Sequence, residues 1–180
     1  MAALVPALLA TGSAGAAETP APVPGKVVEK MVLKGKKMAF EGPETVYEGE
    51  ELEVVNETNP RQVGPHTFSL VEKGLLPKTK QAEKSCFTPG HICMSIAKWH
   101  GFNPKTKKIT VNPVEAGPAG WSTAGNNKGK KGDSWFTGET KKGTRISEPV
   151  TAKAGTTLYF VCAVHPWMQG SIKVLPKPAS

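Results

Sequence analysis

The chain has 180 residues, three Cys, four His and a formal charge of +8. That length carries one domain with a real core and is too short for two comfortable ones. No apolar run approaches the ~20 residues that a membrane-spanning helix requires.

Residues 1–17 contain no charge and run Ala-Leu-Val-Pro-Ala-Leu-Leu-Ala into small residues, with Ala14-Gly15-Ala16 as a cleavage-type site. This is the pattern of an export signal remnant without its basic start, and it predicts a periplasmic, extracellular or cell-envelope location. No Cys lies near it to carry a lipid anchor, so membrane association is not required. Residues 18–25, which include Thr-Pro-Ala-Pro-Val-Pro-Gly, form a short Pro-rich linker or an idle N-terminal tail. Residues 26–180 then make the single folded domain.

From Lys26 onward, short apolar or alternating runs cover Val27 to Leu33, Val46-Tyr47, Leu52 to Val55 and His66 to Val71. Gly42-Pro43, Glu48-Gly49-Glu50 and Asn59-Pro60 break them, and no segment sustains an amphipathic helix of ordinary length. Short strands at this spacing predict an all-β, antiparallel Greek-key sandwich.

Residues 73–133 read differently. They hold Cys86-Phe-Thr-Pro-Gly-His91-Ile-Cys93, Trp99-His100-Gly101, and a Pro/Gly-rich stretch to Trp121 and Asn126-Asn127-Lys128-Gly129. A structureless loop this long is uncommon in a compact domain. The insert is therefore expected to carry short elements of its own and to pack with Trp99, Trp121 and Trp135. Two Cys closing a small loop in an exported chain are most simply a disulfide, Cys86–Cys93. The alternative is a second metal site built from Cys86, His91 and Cys93 with Met94 or His100.

Charge is segregated. Residues 41–57 hold seven carboxylates and no Lys or Arg, whereas residues 98–145 hold ten Lys and Arg against three acids. A solvated face is the ordinary outcome of such runs. The functional reading is a basic docking surface for an acidic partner. Nucleic acid is not expected, because Lys128 to Gly132 has no aromatic stacking platform beside it.

The chemistry concentrates near the C-terminus. A strand-like run, Thr156 to Val161, delivers Cys162; His165 and Met168 follow at three-residue steps; Gly170 opens a second run, Ser171 to Leu175. Thiolate, imidazole and thioether on one tight loop are donors that select copper over magnesium or calcium. A thioether is a poor zinc ligand. A trigonal copper site needs a second imidazole, and His66 stands at the head of another strand. Singly, each residue has a bland reading: core thiol, structural His, core filling.

Cys-x2-His-x2-Met after an aromatic strand, with an upstream Pro-His, resembles the cupredoxins, the blue copper proteins. The loop is most like that of amicyanin- and plastocyanin-type domains. The resemblance covers residues 26–72 and 133–176, and the insert is its main departure. It implies one copper ion cycling between Cu+ and Cu2+, held by His66, Cys162 and His165 in a plane with Met168 as a weak axial ligand. Gln169 is the axial substitute that some relatives use. It also implies a one-electron carrier rather than an enzyme, passing electrons through the solvent-facing ring edge of His165. Redox protein partners would dock near His165 and Trp167, against a rim that includes Pro65 and Pro166, on a monomer. Many relatives have Asn after the first His, where this chain has Thr67; its backbone N–H remains available to the Cys162 sulfur.

Rival enzymes of the same kind need features the sequence lacks. A multicopper oxidase needs many His, a copper nitrite reductase needs His at the position of Val161, and a binuclear site needs a second loop Cys. The remaining alternative is a protein that binds and delivers copper without transferring electrons.

Overall fold

The computed structural model describes residues 25–109 and 116–178. The export signal, most of the linker and Glu115 lie outside the described residues. Among the described residues, eleven strands, three short α-helices and one 3-10 turn (Lys73–Leu75) follow one another along the chain. The first strand, β1 (Lys26–Lys34), turns through Gly35 (φ 60°) into β2 (Lys37–Glu41). The next strands are β3 (Thr45–Tyr47) and β4 (Glu51–Asn56). A single turn, α1 (Pro60–Val63), precedes β5 (Thr67–Val71). The insert supplies α2 (Lys80–Ser85), α3 (Ile92–Trp99) and a small hairpin of β6 (Phe102–Asn103) and β7 (Lys108–Ile109). The chain closes with β8 (Ser134–Phe136), β9 (Arg145–Pro149), β10 (Thr157–Val161) and β11 (Gln169–Leu175).

Two sheets face each other, one ordered β2-β1-β4-β9 and the other β3-β11-β10-β5-β8. Connections β2–β3, β3–β4, β4–β5, β8–β9 and β9–β10 each change sheet. The expected all-β sandwich is therefore present, with one correction. The sheets are mixed rather than antiparallel, because β1 runs parallel to β4 and β3 parallel to β11. Strands joined by a sheet-crossing connection are free to pair in parallel, and nothing in strand periodicity records that choice.

Strand alternation decides where the core sits. Phe68 and Leu70 of β5, Leu158 and Phe160 of β10, and Trp135 of β8 point between the sheets. There they meet Met31, Leu52, Val54, Trp121, Ile172 and Val174. Phe68 packs edge-on against Trp121 at 5.0 Å between ring centroids and tilted against Phe160 at 4.6 Å. The indole N–H of Trp121 donates to the Leu52 carbonyl at 3.0 Å, so burying that ring strands no donor.

The opposite face of the five-stranded sheet is not left to water. Val71, Val161 and Ala163 are buried beneath Cys86, Ile92, Cys93, Ile96 and Trp99 of the insert. Cys86 and Cys93 are disulfide-bonded, which fixes the end of α2 to the first turn of α3 and removes the second-metal-site alternative. Ile92, Cys93, Ile96 and Trp99 recur at one-, four- and seven-residue offsets and give this two-turn helix one apolar face. The insert is thus a cover for one sheet, and every residue of β5 is buried as a result. Of the three indoles expected to pack with it, Trp99 does so, while Trp121 and Trp135 belong to the core between the sheets.

The acidic run is not the free face that its composition suggested. Lys26 pairs with Glu53 at 2.7 Å, Lys30 with Glu57 at 2.9 Å, and Lys34 with Glu41. Surface pairs of this kind add little stability, but they offset three of the seven carboxylates. The insert differs: its one ion pair among the described residues is Lys80–Glu83.

One acid is out of place. Glu29 of β1 points inward on the same strand face as Val27 and Met31, is 2% exposed, and lies against Gly42. Burial pushes its carboxyl up to about 8 from 4.5. The folded state then holds a proton that the unfolded chain releases, so the contribution of Glu29 to stability is full below about 4.5 and is lost as pH rises through about 8. Glu29→Gln is expected to flatten that decline and to stabilise the protein at pH 8 by on the order of a few kcal/mol. Thermal or urea unfolding of both proteins from pH 5 to 9 measures it, and parallel profiles would reject the role given to Glu29.

Candidate metal centre

The predicted residues meet at one end of the sandwich. Cys162 leaves the end of β10 on its inward face, fully buried and unpaired. His66 stands immediately before β5, the neighbour of β10 in the sheet, so a separation of 96 residues closes to contact. Its backbone is clamped from both sides: His66 N donates to Thr137 Oγ1 at 3.0 Å, and Thr137 N donates to the His66 carbonyl at 3.0 Å.

The loop is held closed by two bonds, Met168 N to the His165 carbonyl at 2.8 Å and Cys162 N to the Met168 carbonyl at 3.0 Å. His165 is thereby turned back over Cys162. Gly64 ends the α1 turn at φ 81°, the left-handed region that favours glycine, beside the His165 ring. Met168 is buried in the inter-sheet core with Cys162. Gln169 is otherwise engaged, its amide donating to the carbonyls of Pro166 and Pro77, both at 2.7 Å. It ties the loop to the beginning of the insert.

His66 Nδ1 and His165 Nδ1 each lie 3.7 Å from Cys162 Sγ and 3.1 Å from one another. The centre of that triangle is about 2.0 Å from every corner, close to ordinary metal–imidazole and metal–thiolate bond lengths of about 2.0–2.3 Å. The three side chains thus form a buried set able to hold a metal ion. A thiolate with two imidazoles is a soft-to-intermediate set in a trigonal disposition, which suits copper.

Protonation states favour the same use. The Thr58 hydroxyl donates to Asn56 Oδ1 at 2.7 Å, so its oxygen accepts from His66 Nε2 at 2.9 Å. A ring that donates from Nε2 keeps a lone pair on Nδ1, the nitrogen facing the sulfur. Burial, with the neighbouring His165, lowers the His66 pKa to about 4. Burial also lowers that of His165, against a hydrogen bond with the Val63 backbone that raises it. Neutral imidazoles are ligands; protonated ones are not. Burial pushes the Cys162 thiol up, opposed by hydrogen bonds from Thr67, His165 and Val164.

Thr67 N–H donates to Cys162 Sγ at 3.4 Å, as expected for the residue that follows the first His. Asn56, Thr58, Val63, Gly64 and Thr137 were not anticipated from the sequence. The Asn-x-Thr of residues 56–58 is a local turn pattern, and nothing in it announces His66. His165 is 7% exposed, and the ring of Trp167, itself 46% exposed, lies 5.2 Å away.

Fold and centre together are a two-sheet β-sandwich with a buried His–Cys–His cluster at one end that could hold a metal ion. No protein-family model and no curated protein matches the chain. Solved structures do. A rusticyanin variant aligns with 17% identity over 91% of this chain and 86% of its own, at a TM-score of 0.41. Auracyanin B aligns at 12% identity, 89% and 94% coverage and a TM-score of 0.43. Auracyanin A, a blue copper protein of the green thermophilic photosynthetic bacterium Chloroflexus aurantiacus, gives 16%, 83%, 99% and 0.41.

Proposed function

We propose that this chain is an exported, mononuclear blue copper protein that carries single electrons between redox partners and is not itself an enzyme. The observation that carries this reading is the buried triangle of His66 Nδ1, Cys162 Sγ and His165 Nδ1. When bound there, copper supplies a one-electron couple. The chain's own part is rigidity. Strands β5 and β10 hold two of the donors and the closed loop holds the third, so little rearrangement accompanies a change of charge. Burial also keeps water from the ligands.

Met168 would be the fourth, weak ligand, supported by its place in the loop, its burial in one core cluster with Cys162 and the engagement of Gln169 elsewhere. Met168→Leu is then expected to keep the blue colour and raise the reduction potential. The reduction equilibrium should move on the order of tenfold, about 59 mV for a one-electron couple. Protein-film voltammetry measures this, and an unchanged potential would remove Met168 from the ligand set.

Electrons are proposed to enter and leave near His165 and Trp167. Pro65 and Val164 line an apolar slot nearby, and Val164 is 38% exposed. Lys98 and Lys131 flank a hollow of about 310 Å³ on the insert. With few local carboxylates to cancel them, the insert lysines favour an acidic redox partner. Reduction by an acidic donor should slow by tenfold or more between ~10 mM and ~200 mM salt, as surface charges become screened. A flat stopped-flow rate over that range would reject a docking role for the insert.

The deciding experiment is addition of one equivalent of Cu(II) to the purified protein. An intense visible thiolate-to-copper band that bleaches on reduction and returns on oxidation is expected. A colourless complex that loses metal on oxidation would instead favour copper delivery without electron transfer.

A further inference from the structure

The sheet face beneath the insert is apolar except for one line of hydroxyls. Thr67 and Ser69 of β5 and Ser134 of β8 all lie on it, with Ser69 and Ser134 direct cross-strand partners. All three are buried, and so is His100 at the C-terminal end of α3. His100 Nε2 is 2.7 Å from Ser134 Oγ, Ser134 Oγ is 2.6 Å from Ser69 Oγ, and the Ser69 hydroxyl donates to Thr67 Oγ1 at 2.9 Å.

The directions of these bonds follow from one another. Because Ser69 gives its hydrogen to Thr67, Ser134 must give its own to Ser69, and the His100 ring must donate Nε2–H to Ser134. Every proton in the chain points toward the metal centre. At the far end, Thr67 Oγ1 accepts from Ala163 N at 2.9 Å and donates to the Val161 carbonyl at 3.5 Å. Those residues are the two neighbours of Cys162. The backbone N–H of Thr67 donates to Cys162 Sγ.

We propose that His100 is a positioning residue for the centre: through Ser134 and Ser69 it locks Thr67 against both flanks of Cys162 and so holds the Thr67 N–H on the sulfur. This rests on the reading of Cys162 as a copper thiolate. A packing role alone accounts poorly for the arrangement. The surrounding face is Val71, Val161 and Ala163, and apolar side chains at residues 69, 100 and 134 would bury there without needing four partners in series. A hydrogen bond to the sulfur draws charge from the thiolate and favours the reduced site, so the relay raises the potential. It also gives the insert an electronic role in addition to that of a cover.

The test compares Ser134→Ala and His100→Leu, which break the chain, with His100→Gln, whose amide restores a donor in place of Nε2–H. In the metal-free protein, amide exchange at Thr67 reports the N–H···S bond, and exchange at Leu70, which donates to the Asp133 carbonyl at 2.8 Å, is the control for general loosening. Thr67 exchange should accelerate about tenfold in the two breaking variants, the size of one lost hydrogen bond, with Leu70 unchanged and His100→Gln near the parent. In the copper-loaded protein, the breaking variants should shift the reduction equilibrium several-fold toward the oxidised form. Unchanged exchange at Thr67, or equal acceleration at Thr67 and Leu70, would overturn the proposal whether or not copper binds. Faster Thr67 exchange with an unmoved potential would overturn the tuning role. Faster exchange in a protein that never forms the thiolate band would uphold the positioning of the sulfur and refute the copper reading instead.

Discussion

Cys162→Ser should abolish the intense visible band of the copper-loaded protein while leaving it folded. The band requires a thiolate bound to the metal, and Cys162 is the one cysteine outside the disulfide. An alcohol at this position stays protonated near neutral pH and is a hard, weak donor, so the soft member of the set is lost. Losing an outer partner of a metal ligand typically costs 10–100-fold in affinity, and removing the ligand itself should cost more than ~100-fold. The fold should survive, because Ser is close in size to Cys and the Thr67 N–H can turn from sulfur to oxygen. Copper titration with visible and circular-dichroism spectra checks both halves. An unchanged blue spectrum in the variant would disprove the thiolate assignment and the proposed function with it.

Part of this centre was legible because its chemistry is local. Cys162, His165 and Met168 lie within seven residues, and a donor set that compressed is hard to attribute to three separate accidents. His66 was legible for a different reason: it begins a strand with an apolar run, at the point where a second imidazole was required. The residues that prepare these ligands were not legible. Thr58 fixes the proton on His66, and Thr137 clamps its backbone. Each is an ordinary loop or strand residue whose role exists only once the sheets have paired.

The fold divides the same way. Alternation of apolar residues was enough to read an all-β sandwich, yet it carried no information on which strands lie parallel. It also carried no sign that β5 is buried on both faces. A strand between two sheets alternates, whereas one covered by an insert as well must place something acceptable on its second face. Thr67 and Ser69 look like solvent-facing residues in the sequence and are instead satisfied polar groups under a helix. The helical signal in the insert was present at Ile92, Cys93, Ile96 and Trp99, but over only two turns, between Pro89-Gly90 and Gly101. The disulfide compensates for that shortness by tying α3 to the preceding turn.

The largest expected loss of stability comes from Phe68→Ala. Phe68 is fully buried in β5, two residues beyond His66. It touches Trp121, Phe160 and Phe40, the last at 5.9 Å between centroids. Removing the ring leaves a cavity between the two sheets that Trp121 cannot fill, because its indole N–H is anchored to the Leu52 carbonyl. Core Phe→Ala changes cost about 3–5 kcal/mol, and limited relaxation argues for the upper part of that range. The effect should reach the metal as well. The strand that carries His66 is held in register on one side by β10, which carries Cys162, and Phe68 with Phe160 is the packed pair across those two strands. Metal-free Phe68→Ala should therefore unfold at markedly lower denaturant, and copper should recover part of the loss, since a ligand that binds only the folded state stabilises it. Urea titrations with and without copper measure both terms. A loss under ~1 kcal/mol would mean that this ring is not the keystone of the core, and no recovery with copper would mean that β5 and β10 do not meet through the metal.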